Sequence, residues 1–283
     1  MPVEVPRCQV LPLPDHQVSF TVAGQERLRW HFGPQYPRPF FYPLIGPSGL
    51  PLTRIGHPGA PDHDHHRSIW FAHEKVQGVD FWSERGPARI RQKGWRCYTD
   101  GADEASMAVV LGWNDGHDAN DLLEQDLFVG VRPGPEGTTV VELQTTLRPV
   151  AAEIELQATN FGLLAVRVAK SLSVHFGGGL LTSSTGATGE KGLFQQPAAW
   201  MDYSGPMPGG VTQGITYFDH PHNPNYPARW HVRSDGWMGA SLCRPDGRRI
   251  RRAEPLTLRY LLHAHRGGAN GEQANALASR VVA

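Results

Sequence analysis

The chain has 283 residues, and Lys plus Arg equal Asp plus Glu at 27 each, so it lacks the basic excess that holds a nucleic acid backbone. Cys8, Cys97 and Cys243 are odd in number and far apart, which fits neither a disulfide framework nor a thiolate zinc knuckle; reduced, mostly buried thiols are expected. No run of about 18 apolar residues occurs, and the opening residues, MPVEVPRCQVLPLPDHQ, carry prolines and an acid where an export signal needs a positive start and an apolar run. A soluble, cytoplasmic protein is expected, with no membrane partner.

Gly (32) and Pro (24) punctuate short runs rich in Val, Leu, Thr and aromatics, the pattern of many strands joined by turns. In chain order the predicted strands are 18–22, 28–32, 107–113, 125–132, 138–147, 165–175, 214–218, 238–242 and 256–264. Across 138–147, Val141, Leu143, Thr145 and Leu147 share one face while Glu142, Gln144 and Thr146 share the other. GGGLLTSSTGATG, starting at Gly177, lacks the Gly-Lys-Ser/Thr ending of a phosphate loop and a following helix, so its glycines read as a turn or bulge. Only 270–282 reads as a helix, with Ala274, Leu277, Ala278 and Val281 at spacings of three and four. The expected class is all-β: a large antiparallel β-sandwich over 1–283 as one domain, capped by a short C-terminal helix.

Three constellations carry chemistry. The first is APDHDHHRSIWFAHEKVQGVDFW, starting at Ala60, where His63, His65, His66 and His73 lie beside Asp64, Arg67, Trp70, Asp80 and Trp82. Histidine changes charge near neutral pH and ligates metals, so this density marks the centre of a polar site. Strand alternation would put His65, Arg67 and His73 on one face and His66, Ser68 and Trp70 on the other; an irregular approach would let His63, His65 and His66 converge. The second constellation is YFDHPHNPNYPARWHVR from Tyr217, with His220, Asn223, Trp230, His231 and Arg233 in a stretch stiffened by prolines. The third, AAWMDYSG from Ala198, offers Trp200, Asp202 and Tyr203. A Trp face with nearby carboxylates matches a sugar ring, apolar on its CH face and polar at its rim.

These motifs, with RPFFYPLIGPSGLPLTR before them and in this order, resemble the bacterial family labelled methane oxygenase PmoA. The resemblance covers most of the chain. A membrane oxygenase subunit is not implied, because no segment here could span a bilayer. In architecture the family is similar to the galactose mutarotase-like β-sandwich (supersandwich), a fold shared by sugar epimerases, polysaccharide lyases and some glycosidases. The resemblance therefore implies carbohydrate as substrate, by analogy of fold.

The expected function is a carbohydrate-active protein of epimerase or mutarotase, lyase or hydrolase type, working by acid–base chemistry in a concave cleft on a small-molecule or oligosaccharide substrate. Catalytic candidates are His65, His66, His231, Asp202 and Glu124. Substrate-binding candidates are Arg67, His73, Asp80, Trp82, Trp200, Tyr203, His220, Asn223, Trp230 and Arg233. No cofactor is expected. The alternatives are a non-catalytic carbohydrate-binding protein, and a hydrolase or oxygenase holding a divalent metal through His63, Asp64 and His65.

Overall fold

The computed structural model describes residues 5–56 and 63–282. Two eight-stranded sheets carry the fold. The first runs, in spatial order, β1 (Cys8–Leu13), β2 (Gln17–Val22), β3 (Gln25–His31), β4 (Phe40–Leu44), β5 (Ile69–His73), β11 (Gly162–Arg167), β16 (Trp237–Ser241) and β15 (Arg229–Arg233). The second runs β12 (Leu180–Ser183), β13 (Trp200–Pro206), β14 (Thr212–Asp219), β18 (Leu256–Arg266), β9 (Thr139–Pro149), β8 (Leu123–Pro133), β7 (Ala105–Asn114) and β6 (Arg89–Thr99). The named strand pairs are all antiparallel, and β10 (Glu153–Leu156) with β17 (Arg248–Arg251) forms a small ribbon beside them.

The long strands of the second sheet follow their sequence pattern. Val141, Leu143, Thr145 and Leu147 are buried while the residues between them are half-exposed, as a sheet with one wet face requires. Apolar side chains from both sheets interleave in one core, among them Phe20, Phe71, Leu164 and Trp230 from the first sheet and Leu127, Leu143, Tyr217 and Leu262 from the second.

In the first sheet the central strands depart from this pattern. Every residue of β5, β11 and β16 is buried, because a second apolar layer covers their outer face: Phe40, Trp70, Ala72, Trp82, Ala165 and Trp237, with Tyr36, Tyr42 and Phe161 packed against it. Strands buried on both faces lose polar alternation, so β5 carries a weak strand signal. The predicted strand 165–175 breaks early: β11 ends at Arg167, and a 3-10 turn and α1 (Val174–Gly177) follow. The glycine run then makes its turn, with Gly178 at φ 79°, and a single helical turn, α2 (Gly189–Leu193), does follow it.

The predicted tail helix is α3 (Gly271–Val282). Asn270 caps it, its side-chain oxygen accepting from the Gln273 N–H at 3.0 Å. Ala274, Leu277 and Ala278 pack on Trp200, Phe218 and Leu261 of the second sheet; the Val281 side chain lies outside the described residues. Among the described residues no helix is long and apolar enough to cross a membrane.

Candidate functional site

The early histidines and the late strand meet on the outer face of the first sheet. Residues 63–65 form a turn leading into β5, and Ser68 adopts φ 58°. That left-handed residue breaks the alternation, so His66 and Arg67 both turn to the outer side. His66 stacks nearly parallel with Trp70, ring centroids 5.2 Å apart, and with Trp237, 6.0 Å away. His65 and His63 pack edge-on against His66 at 4.3 and 5.2 Å. Trp237 is the hinge between the two motifs: His231 of β15 meets it edge-on at 3.9 Å. Phe161 and Phe194 flank His231 at 5.0 and 5.1 Å. His66 and His231 thus share one aromatic layer with an indole between them.

Arginines fix this layer from behind. Arg38 is fully buried and donates to the carbonyls of Phe81 at 3.1 Å, Trp82 at 2.9 Å and His65, tying the Trp82 turn to the histidine turn. Its guanidinium lies over Trp70 and pairs with Glu84 at 3.1 Å. Burial pulls its pKa down to about 10, Glu84 offsetting part of that shift. Arg67 pairs with the same Glu84 and lies over Tyr36. Arg167, on β11, is held by both oxygens of Asp235, at 2.8 and 3.3 Å.

Burial sets the protonation of the histidines. It drives His66 far below the ordinary histidine range, with His65, Arg167 and Arg38 acting in the same sense. It pushes His231 down to about 3, reinforced by Arg233 and opposed by the Asn160 backbone. Both rings are neutral at pH 7, each with one N–H to give and one lone pair to receive.

The eight tryptophans mark the site. Four have acceptors for their indole N–H: Trp30 on Gln92 at 2.9 Å, Trp113 on Gln125 at 2.7 Å, Trp200 on Asn275 at 3.0 Å and Trp230 on the Ala198 carbonyl at 2.8 Å. Trp95 is exposed. The remaining three, Trp70, Trp82 and Trp237, are buried with no acceptor, as is Nδ1 of His66. All four of these atoms belong to one layer. Buried polar atoms are normally paired, so this cluster of unpaired ones sets the layer apart from the other tryptophans. Beyond Phe194 a cleft of roughly 700 Å³ opens, lined by α2, Phe194, Arg233 and Ser234. Arg233 pairs there with Glu190 at 2.9 Å and lies over Phe194. Burial acts to raise the Glu190 carboxyl, but the Ser234 N–H and Arg233 outweigh it and hold it below its ordinary value.

Several candidates fall elsewhere. Asp202 sits on the outer face of the second sheet, across the sandwich, where its Oδ2 accepts from Thr216 at 2.7 Å and faces His265 Nε2 at 2.7 Å. Trp200 lies on that same face beneath α3. Tyr203 and Trp230 point inward to the core, the Tyr203 hydroxyl bonding the Arg233 carbonyl. Glu124 is exposed on β8 with Arg96 and Arg148. His73 packs where a Cβ on Gly162 would strike it, its Nε2 on the Gln157 carbonyl at 3.0 Å. Asp80 caps its own turn through the N–H groups of Trp82 and Ser83. His220 Nδ1 accepts from the His222 N–H at 3.0 Å, and Asn223 bonds Asp219 and both backbone groups of Arg259. His73, Asp80, His220 and Asn223 hold turns and strands in place where they stand.

Asp64 is exposed, and Asp62 lies outside the described residues. Among the described residues no three His, Cys, Asp or Glu side chains are placed to hold a metal ion. Sequence reasoning passed over Trp237, Phe161, Phe194, Arg38 and Arg167; a Trp in the SDGW turn next to HVR was the one available signal.

A family model described as "Family of unknown function (DUF6807)" matches residues 17–279. That description carries no activity, which leaves the methane oxygenase label unsupported. No curated protein matches the chain. Among solved structures, a mutarotase candidate (YeaD) from Salmonella typhimurium is similar at 11% identity and a TM-score of 0.35, covering 91% of this chain and 93% of its own. The GalM/aldose epimerase homologue from C. elegans gives 8%, 0.37, and 94% and 100% coverage. At these scores the chemistry of the site rests on its own geometry.

Proposed function

Since the chain belongs to the DUF6807 family, whose function is unknown, we propose its role from the site itself: a carbohydrate-active protein that binds a sugar at the aromatic layer and moves protons with His66 and His231. The observation that carries this is the set of three buried indole N–H groups without acceptors around a stacked, neutral histidine. Indole faces suit the CH face of a sugar ring, and unpaired N–H donors suit its oxygens.

Interconversion at the anomeric carbon is the reaction two neutral imidazoles can serve. One imidazole takes the proton of the anomeric hydroxyl as the ring C–O bond breaks and passes it on through water; the other accepts that proton on one nitrogen as it gives its N–H proton to the departing ring oxygen, so neither ring is left charged. Closure on the opposite face reverses both transfers, so no proton or electron is gained or lost. Glu84 and Asp235 are held by arginines, so these two do not form a free carboxylate pair of the kind a glycosidase uses. Binding without turnover is the second reading. It is favoured by the strongly depressed basicity of His66.

The test is mutarotation of a panel of aldoses followed by polarimetry. The wild type accelerates at least one, and His66→Ala or His231→Ala lowers the rate by about 10²-fold or more. Unchanged rates in the double variant refute the assignment. Sugar binding with no turnover in the wild type selects the second reading.

A further inference from the structure

Donors and acceptors are out of balance at this site. Among the described residues, four carboxylates near the layer are already engaged by protein donors: Glu84 by Arg38 and Arg67, Asp80 by two backbone N–H groups and the Ser83 hydroxyl, Asp235 by Arg167, and Glu190 by Arg233 and the Ser234 N–H; Asp64 faces solvent at the histidine turn. Among the described residues of the layer, unpaired donors outnumber unpaired acceptors. The indole N–H groups of Trp70, Trp82 and Trp237 and the Nε–H groups of Arg38 and Arg167 are buried without acceptors, against Asn160 Oδ1, Nδ1 of His66 and the ring nitrogens of His231. The charged groups acting on His66 are also one-sided. After burial, His65, Arg167, His63 and Arg38 all disfavour its protonation, and among the described residues no carboxylate acts against them.

We infer that the ligand is a sugar acid, and that its carboxylate supplies an acceptor for this excess of donors. The inference rests on the carbohydrate reading above and narrows it to uronic or aldonic acids. A carboxylate is planar, takes several N–H donors at once and forms the stronger charge-assisted bonds. A phosphate dianion would match the donors too, but moving two charges into an aromatic layer costs more desolvation than moving one. Arg67, partly exposed beside the histidine turn, and Arg233 and Lys191 at the cleft are cations a ligand can reach from solvent.

The experiment is calorimetric titration of the full chain with D-glucuronate, D-galacturonate, D-gluconate, D-glucose, D-galactose and glucose 6-phosphate. At least one sugar acid is expected to bind about tenfold more tightly than its neutral counterpart. Arg67→Gln and Arg233→Gln should each cut that preference, with thermal unfolding confirming that the variants fold; Arg233→Gln serves if Arg67→Gln does not. Equal affinity for acids and neutral sugars overturns the inference and leaves the carbohydrate reading standing. Tighter binding of the phosphate ester than of every acid overturns the carboxylate assignment. No binding by any compound overturns both.

Discussion

At the scale of single residues, what surrounds a side chain decides its role, and residue type alone does not. Trp230 and Trp237 lie on the same two-strand hairpin, yet Trp230 sits in the core with its indole bonded and Trp237 sits in the outer layer with its indole free. Trp230→Ala should therefore cost about 3–5 kcal/mol of stability, measured by urea unfolding. Trp237→Phe keeps a ring in place and should weaken sugar affinity with a much smaller loss of stability. Asn223 is a bracket between the late loop and β18, with three side-chain hydrogen bonds. Asn223→Ala should cost roughly 2–4 kcal/mol and leave sugar affinity per folded molecule unchanged. If it removes binding while stability holds, Asn223 is part of the site after all.

At the scale of elements, the second sheet holds a buried ion pair of its own. Both ring nitrogens of His265 face oxygens, Nε2 the Asp202 carboxylate at 2.7 Å and Nδ1 the Arg266 carbonyl at 3.1 Å. Only the doubly protonated ring satisfies both. Burial disfavours that charge, but the bond to Asp202 and its charge outweigh burial and raise the His265 pKa. A raised histidine contributes stability that is complete below its unfolded value, near pH 6.5, and is lost as pH rises through the folded value. His265→Gln should flatten the alkaline side of the stability profile, read from midpoints of thermal unfolding between pH 6 and 9.

Legibility also divided by element. The long strands β7, β8 and β9 and the tail helix could be read from the sequence, because each has one wet face and so a regular apolar period; β18 shows it only in its first half. β5, β11 and β16 are buried on both faces and lose that period; β16 was still legible as an apolar run at 238–242, while β11 overlaps its predicted strand only at 165–167. The histidine run and His231 were visible as chemistry. Their meeting through Trp237 was not, since strands β5 and β16 are separated by more than 160 residues and meet only through β11. Asp202 failed to join them for the converse reason. Its motif resembles theirs, but its strand belongs to the other sheet.

At the scale of the whole molecule, buried neutral histidines set the acid limit. His73 and His263 are pushed down to about 4 and His231 to about 3, burial being the largest cause for each. Below about pH 6.5 the unfolded chain takes up protons that these native side chains refuse, so stability falls with pH by ~1.4 kcal/mol per pH unit for each. With His66, which burial drives lower still, the four together give roughly 5 kcal/mol per unit between pH 6.5 and 4, a large fraction of a typical domain's stability. Urea midpoints should drop steeply across that window, and His231→Gln should lower the slope by about a quarter. A flat profile from pH 7 to 4 would contradict the burial of these rings as neutral species.

The central claim is that the layer around His66, Trp237 and His231 receives the sugar. It is tested most directly by recording the indole N–H resonances of the 15N-labelled protein while adding the tightest-binding sugar acid. The account predicts large shifts for Trp70, Trp82 and Trp237, whose N–H groups gain an acceptor, and small ones for Trp30, Trp113, Trp200 and Trp230, whose N–H groups already have one. Shifts confined to Trp200, across the sandwich beneath α3, would place the ligand on the second sheet and contradict it.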